Sequence, residues 1–282
     1  MTMRIVIDLQ ACQSASAQRG IGRHSFEMAR AIAVAQGSNE VWLALNAAFP
    51  ASTAKLRRVF SDLVGKERIA VFTTPTPAAS LDTVNEWRSR VGEPIRETFL
   101  HGLRPDIVHV ASLFEGLVDD AVASVGTIRS SHATATTLYD LIPMASGEGL
   151  PTAASVDWYH RKIASLKRSD LLLALSDHAR AQAVAQLPMQ ADRVVVVSTA
   201  ASEVFRPGAL PPDAVSALCA RHGITRPFVL HAGGFDARKN VANLIAAYAR
   251  LPLAVRSGYQ LVLVGAIDRD ARIEPDRESR LL

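Results

Sequence analysis

The feature that most limits what this 282-residue chain can become is a series of short, nearly continuous apolar runs spaced by helix-length segments. Arg4-Ile-Val-Ile-Asp8, Val41 to Leu45, Ile69 to Phe72, Ile107 to Val110, Thr136 to Leu138, Leu171 to Leu175 and Val194 to Val197 are each bounded by turn residues. Strands buried on both faces read this way, because neither side of the pleat meets water and strict alternation is lost. Between them, Phe26 to Val34 sets Phe26, Ala29, Ile32 and Ala33 at helical spacing. The alternation predicts a doubly wound, mostly parallel α/β domain over about the first two-thirds of the chain.

Near Phe205 to Pro212 the pattern changes, since Pro207-Gly208 and Pro211-Pro212 suit neither a helix interior nor a central strand. A domain boundary is predicted there, with one domain over 1–205 and another beginning within 206–282. Phe228 to Ala232, the glycine-bearing loop Gly233 to Lys239, Val241 to Leu251 and Gln260 to Gly265 then read as strand, loop, helix and strand, one βαβ unit. From Asp268 to Leu282 the chain is charged and carries Pro275. A single βαβ unit offers too little apolar surface to be stable alone, so the second domain is predicted to be incomplete.

Composition narrows the function classes. With 49% hydrophobic and 21% charged residues the chain is globular, and 31 Lys+Arg against 27 Asp+Glu leave a net charge of only +4. The basic residues are scattered rather than gathered into a tract, so no nucleic-acid partner is expected. Cys12 and Cys219 lie far apart without a CxxC pair, which points to reduced thiols and a cytoplasmic setting. Met1 to Leu9 enters a strand pattern directly, without a signal-peptide profile, and no apolar run approaches the length of a membrane span.

Three stretches could carry chemistry. Gln18-Arg-Gly-Ile-Gly-Arg-His24 lies between the first strand and the first helix, where Gly20 and Gly22 would let a ligand approach and N–H groups at the helix start attract anions. A packing turn is the alternative. Ser25 stands where a dinucleotide fingerprint needs its third glycine, and the second strand ends at Asn46 without a ribose-binding carboxylate. Gly233-Gly234-Phe-Asp-Ala-Arg238-Lys239-Asn240 offers two glycines and two cations before a helix, suited to phosphates, or else a solvated charge pair.

The third stretch, Thr136-Thr-Leu-Tyr139-Asp140-Leu-Ile-Pro143, runs a strand into a proline-fixed turn. Asp140 then sits where open α/β sheets place ligands, either to orient a sugar hydroxyl or to cap the turn. Ser176 reads as a helix N-cap, and His109 and His231 as core histidines. HExxH, GxSxG and P-loop patterns are absent.

In order along the chain, Arg4-Ile-Val-Ile-Asp-Leu-Gln10, Arg19-Gly-Ile-Gly-Arg23, Val41-Trp-Leu-Ala-Leu45, Pro105-Asp-Ile-Val-His-Val110, Leu138-Tyr-Asp-Leu-Ile-Pro143, Leu166-Lys-Arg-Ser-Asp170, Val204-Phe-Arg-Pro207 and Gly233-Gly-Phe-Asp-Ala-Arg-Lys-Asn240 resemble glycosyltransferase family 4. The closest likeness is to its bacterial branch of polysaccharide and O-antigen mannosyltransferases. The resemblance implies a GT-B fold, with a complete N-terminal Rossmann-like domain and a truncated second one. It further implies hexosyl transfer with retention, from a nucleotide sugar, GDP-mannose by the branch, to a polysaccharide or lipid-linked glycan. No metal is needed in such enzymes.

By the same resemblance Asp140, Arg238 and Lys239 are the catalytic candidates, Gly20 and Gly22 face the donor diphosphate or the acceptor, and Gly233, Gly234, Arg238 and Lys239 hold the donor. Peripheral contact with the inner face of a membrane is compatible with a lipid-linked acceptor. Many family members carry histidine where this chain has Tyr139, and the family's paired glutamates fall beyond Gly265; Glu274 and Glu278 come too early to replace them. Weak binding of nucleotide sugar, or none, is therefore expected of the chain as given. The competing expectations are a non-catalytic fragment acting through a partner or membrane, and an NAD-dependent oxidoreductase or sugar-nucleotide epimerase.

Overall fold

The computed structural model describes residues 2–147, 149–208, 210–235 and 239–265. Contacts divide the chain into two compact units between Ser202 and Glu203. The first runs β1 (Arg4–Asp8), α1 (Gly20–Val34), β2 (Glu40–Asn46), α2 (Pro50–Val64), β3 (Ile69–Phe72), α3 (Glu86–Gly102), β4 (Ile107–Val110), β5 (Ala133–Leu138), α4 (Ile142–Ser146), α5 (Ala153–Leu166), β6 (Leu171–Ala174), α6 (Asp177–Gln186) and β7 (Val194–Val196). Its strands form one parallel sheet in the order β3-β2-β1-β4-β5-β6-β7. The fold is thus the doubly wound α/β arrangement that the apolar runs predict.

Successive residues of a strand face opposite sides, and the two cores follow from that alternation. Val6 and Ala44 join Phe72, Leu100, Val108 and Leu138 on one face. Ile7, Val41, Leu43 and Leu45 join Ala29, Ala33, Leu56 and Phe60 of α1 and α2 on the other. Covering both faces explains why β1 and β2 are apolar at consecutive positions.

One crossover is unusual. Residues 111–132, between β4 and β5, contain no regular helix, yet Ala111, Ser112, Leu113, Glu115 and Ala121 to Val125 are buried. An irregular buried segment must find partners for its backbone polar groups, and side chains from elsewhere supply them. Gln10 exchanges hydrogen bonds with the backbone of Val122, Asn46 donates to the Asp120 carbonyl at 3.0 Å, and Arg96 to that of Ser124 at 3.0 Å. Glu97 accepts from the Thr127 and Ile128 N–H groups, and Lys162 donates to the Ala123 carbonyl.

The second unit contains α7 (Pro212–Arg221), β8 (Phe228–Ala232), α8 (Val241–Ala249), α9 (Leu253–Gly258) and β9 (Gln260–Val264), with β8 and β9 paired in parallel. That is the strand, helix, strand order expected after Pro212. Arg238, Glu274 and Glu278, with the charged tail that begins at Asp268, lie outside the described residues. Among the described residues no helix is long and apolar enough to cross a membrane.

Candidate functional site at the carboxyl edge of the first sheet

β1 pairs with β2 on one side and β4 on the other, so the winding reverses at β1. Ligands of open α/β sheets settle beyond the carboxyl ends of strands at such a point. Four pieces of chain meet there: the loop 9–19, the start of α1, the segment after β4 and the end of β5.

Sequence reading starts the first helix at Phe26; the structure starts it at Gly20, which places both glycines in its first turn. Arg19 is the extended N-cap residue and provides no side-chain cap. The N–H groups of Gly20 and Ile21 therefore have no acceptor within the helix. Gly22 differs, because its N–H donates to the Ser16 carbonyl at 3.1 Å. A Cβ on Gly22 would overlap that same carbonyl oxygen, whereas one on Gly20 would meet nothing within 4 Å. Gly22 thus lets the loop lie on the helix, while Gly20 leaves space before two donors without an acceptor among the described residues, the arrangement that favours an anion.

Glu115 fixes the loop. Its buried carboxylate accepts from Ser14 Oγ at 2.7 Å and Ser16 Oγ at 2.9 Å through one oxygen, and from Ser112 Oγ at 2.7 Å through the other. Burial pushes this carboxyl above its ordinary range, opposed by the serine donors. Cys12 donates from Sγ to the Gly22 carbonyl at 3.3 Å, and burial pushes its thiol up to about 12, which removes it as a nucleophile near neutral pH. Sequence reasoning missed Glu115, Ser14 and Ser16, since a lone Glu-Gly pair and two loop serines carry no periodic signal.

At the end of β5 the two polar neighbours part company. The Tyr139 hydroxyl turns inward to Ser25 Oγ at 3.0 Å and to His24 Nδ1, the Ile21 carbonyl and the Ala111 carbonyl at 3.2 Å each. Burial raises its phenol well above the ordinary value, so it serves as a bracket between α1 and β4. Asp140 is exposed, and its Oδ1 accepts from the Ile142 N–H at 3.1 Å, capping the turn into α4. An exposed carboxylate at this edge is still placed to meet a ligand. Ser176 caps α6 by accepting from the Ala179 N–H at 3.1 Å.

In the second unit Gly233 and Gly234 follow β8, and the Gly233 N–H is taken by the Val264 carbonyl at 2.9 Å. Lys239 is exposed just before α8, and the other cationic candidate, Arg238, lies outside the described residues. Asn46, fully buried at the end of β2, commits its amide to Gln10 Oε1 and the Asp120 carbonyl, so this strand end presents an engaged amide where a ribose-binding carboxylate would stand. Among the described residues no group of three His, Cys, Asp or Glu could hold a metal ion.

His109, buried on β4, shares a 2.9 Å hydrogen bond from Nε2 with Thr137 Oγ1, while its Nδ1 has no partner among the described residues. Burial lowers its pKa from 6.5 to about 4, with the nearby His24 adding to the effect. The unfolded chain then binds a proton that the folded chain refuses between pH 6.5 and 4. Stability should be intact above pH 6.5 and fall as the pH drops to about 4, by about 3 kcal/mol at most. Urea midpoints of His109→Gln and the parent at pH 7 and pH 4.5 check this, because the acid loss should shrink in the variant; equal losses contradict it.

No family model matches the chain. It is similar to the serotype-specific mannosyltransferase WbdA of Escherichia coli, 29% identical over 284 residues that cover 99% of this chain and 33% of that one. A second WbdA from Escherichia coli is 27% identical over 259 residues, covering 90% of this chain and 31% of the other. The chain therefore spans about a third of the length of the curated relatives it matches. Among solved structures it resembles WaaG, a glycosyltransferase involved in lipopolysaccharide biosynthesis, with a TM-score of 0.64 and 14% identity over 98% of this chain and 67% of that one. HepE of Anabaena, solved in complex with UDP and glucose, gives a TM-score of 0.59 and 15% identity over 99% of this chain and 65% of that one. The fold is that of GT-B glycosyltransferases.

Proposed function

We propose that this chain serves glycosyl transfer, moving a mannosyl group from GDP-mannose to a glycan acceptor with retention of configuration. The observation that carries the reading is the similarity to a mannosyltransferase along 99% of the chain. The carboxyl edge of the first sheet supports it: at the start of α1 the N–H groups of Gly20 and Ile21 have no acceptor within the helix, and Asp140 is an exposed carboxylate at the end of β5, suited to a phosphate and a sugar hydroxyl respectively. In this reading Gly233, Gly234, Arg238 and Lys239 bind the donor diphosphate, and the two cations stabilise the charge that grows on the departing nucleotide in place of a metal. The acceptor is a polysaccharide or lipid-linked glycan, reached from the cytoplasm or the inner membrane face.

Calorimetric titration of the full chain with GDP-mannose, followed by NMR of the anomeric carbon of any product, tests this. Micromolar binding and an α-linked product support it, and they overturn the expectation of weak binding drawn from the family's paired glutamates. Copurification of NAD with no affinity for GDP-mannose sinks it. Lys239→Ala should weaken GDP-mannose binding about tenfold or more, the worth of one charge-assisted contact to phosphate. An unchanged dissociation constant removes Lys239 from the donor site.

A further inference from the structure

The imidazole of His24 stands at the same carboxyl edge, and only its Nδ1 takes part in the packing described so far. It lies one turn into α1, half-buried, with its ring set edge-on to Tyr139 at a centroid distance of 5.5 Å and an interplanar angle of 84°. Its Nδ1 is 3.2 Å from the Tyr139 hydroxyl. Its Nε2 has no hydrogen-bond partner among the described residues and is not a buried orphan.

Counting donors assigns the tautomer. The Tyr139 hydroxyl has one proton and faces two groups that can only accept, the carbonyls of Ile21 and Ala111. Ile21 lies in α1, where the N–H four residues on serves its carbonyl. Ala111 lies in the irregular segment after β4, where Tyr139 is the donor its carbonyl has among the described residues. The tyrosine proton therefore goes to Ala111, and the phenolic oxygen accepts from Ser25 Oγ and from His24 Nδ1–H. With Nδ1 protonated, Nε2 carries a bare lone pair. Burial also lowers the pKa of this imidazole, which favours the neutral ring.

We propose that His24 is a substrate-contacting residue whose Nε2 accepts a hydrogen bond from a sugar hydroxyl, while Tyr139 holds the ring through Nδ1. The inference rests on the sugar-transfer reading, and it adds to it a contact from the first helix. Tyr139 is a positioning residue in this arrangement, because its own hydroxyl is spent on the protein. The ligand class is a neutral pyranoside with a free hydroxyl, and no proton is transferred in the ground-state contact.

Histidine-selective ¹⁵N NMR of the full chain, titrated with methyl α-D-mannopyranoside, tests the proposal. His24 should show a protonated Nδ1 and an unprotonated Nε2, and the Nε2 resonance should move with saturation as glycoside is added. Asparagine places its amide near Nδ1 and glutamine near Nε2, so the two variants separate holding from contacting. Glycoside affinity should fall about tenfold in His24→Asn and stay within about threefold of the parent in His24→Gln. An Nε2 resonance that ignores the glycoside overturns the proposal, as does retained affinity in His24→Asn with loss in His24→Gln. GDP-mannose is titrated in parallel. Glycoside contact at His24 with no affinity for GDP-mannose keeps this inference and sinks the transfer reading, whereas the reverse pattern keeps transfer and sinks His24.

Discussion

Replacing Arg96 with methionine should lower the stability of the chain by about 3–5 kcal/mol, the cost of stranding one member of a buried ion pair. Arg96 is fully buried on α3, where its Nε donates to Asp8 Oδ2 at 2.7 Å and its Nη2 meets the same oxygen. A third donor, Nη1, reaches the Ser124 carbonyl at 3.0 Å. One guanidinium thus ties α3 to the end of β1 and to the irregular segment after β4. Methionine matches much of the side-chain volume but leaves a carboxylate and a carbonyl with fewer partners in a dry interior. Because whole domains are stable by only about 5–15 kcal/mol, such a loss would remove a large share of the protein's stability. Urea unfolding followed by circular dichroism measures the loss. Adding Asp8→Asn to the variant should recover part of it, since neither charge then remains. A loss under about 1 kcal/mol would show that the pair does not fasten this edge.

Much of the sheet was legible from the sequence because both of its faces are covered. Ile69 to Phe72 and Ile107 to Val110 read as strands with the bounds the structure gives β3 and β4. Burial on two sides turns each strand into an unbroken apolar word, and a few turn residues on either side define its ends. The site was less legible, since it is built from groups whose partners lie far away in the chain. Glu115 meets serines about a hundred positions earlier, and Tyr139 meets His24 and Ser25 at a similar separation. No local period records such a pairing.

Helix α3 shows a further limit. It buries Ser89, Gly92, Arg96 and Glu97 beside Leu100, and leaves Trp87, Val91 and Ile95 exposed, so that its inward face is mostly polar, unlike that of an ordinary amphipathic surface helix. Its polar side faces inward because the segment 111–128 has backbone groups that need charged and polar partners. Periodicity reports which residues share a face, and the chemistry of the neighbour decides which face goes inside. The first helix was misjudged for a related reason. Gly20 and Gly22 have low helix propensity, so apolar spacing begins only at Phe26, yet the loop needs a surface without side chains on which to lie.

That distinction between the two glycines leads to the second large effect. Gly22→Ala should cost about 3 kcal/mol, because the added methyl would overlap the Ser16 carbonyl oxygen and sit 2.6 Å from Ala17 Cα. Backbone atoms cannot rotate away as a long side chain can, and Glu115 holds the same loop through Ser14 and Ser16. Gly20→Ala meets no atom within 4 Å and should leave stability within about 0.5 kcal/mol of the parent. Its methyl would instead occupy the space in front of the N–H groups of Gly20 and Ile21. If a phosphate uses those donors, Gly20→Ala melts like the parent and binds GDP-mannose more weakly, while Gly22→Ala loses fold and ligand together. Thermal melts and calorimetry on the two variants separate the roles. Equal melting temperatures would mean that the loop 14–17 does not press on the helix, and unchanged affinity in Gly20→Ala would mean that the ligand's phosphate lies elsewhere.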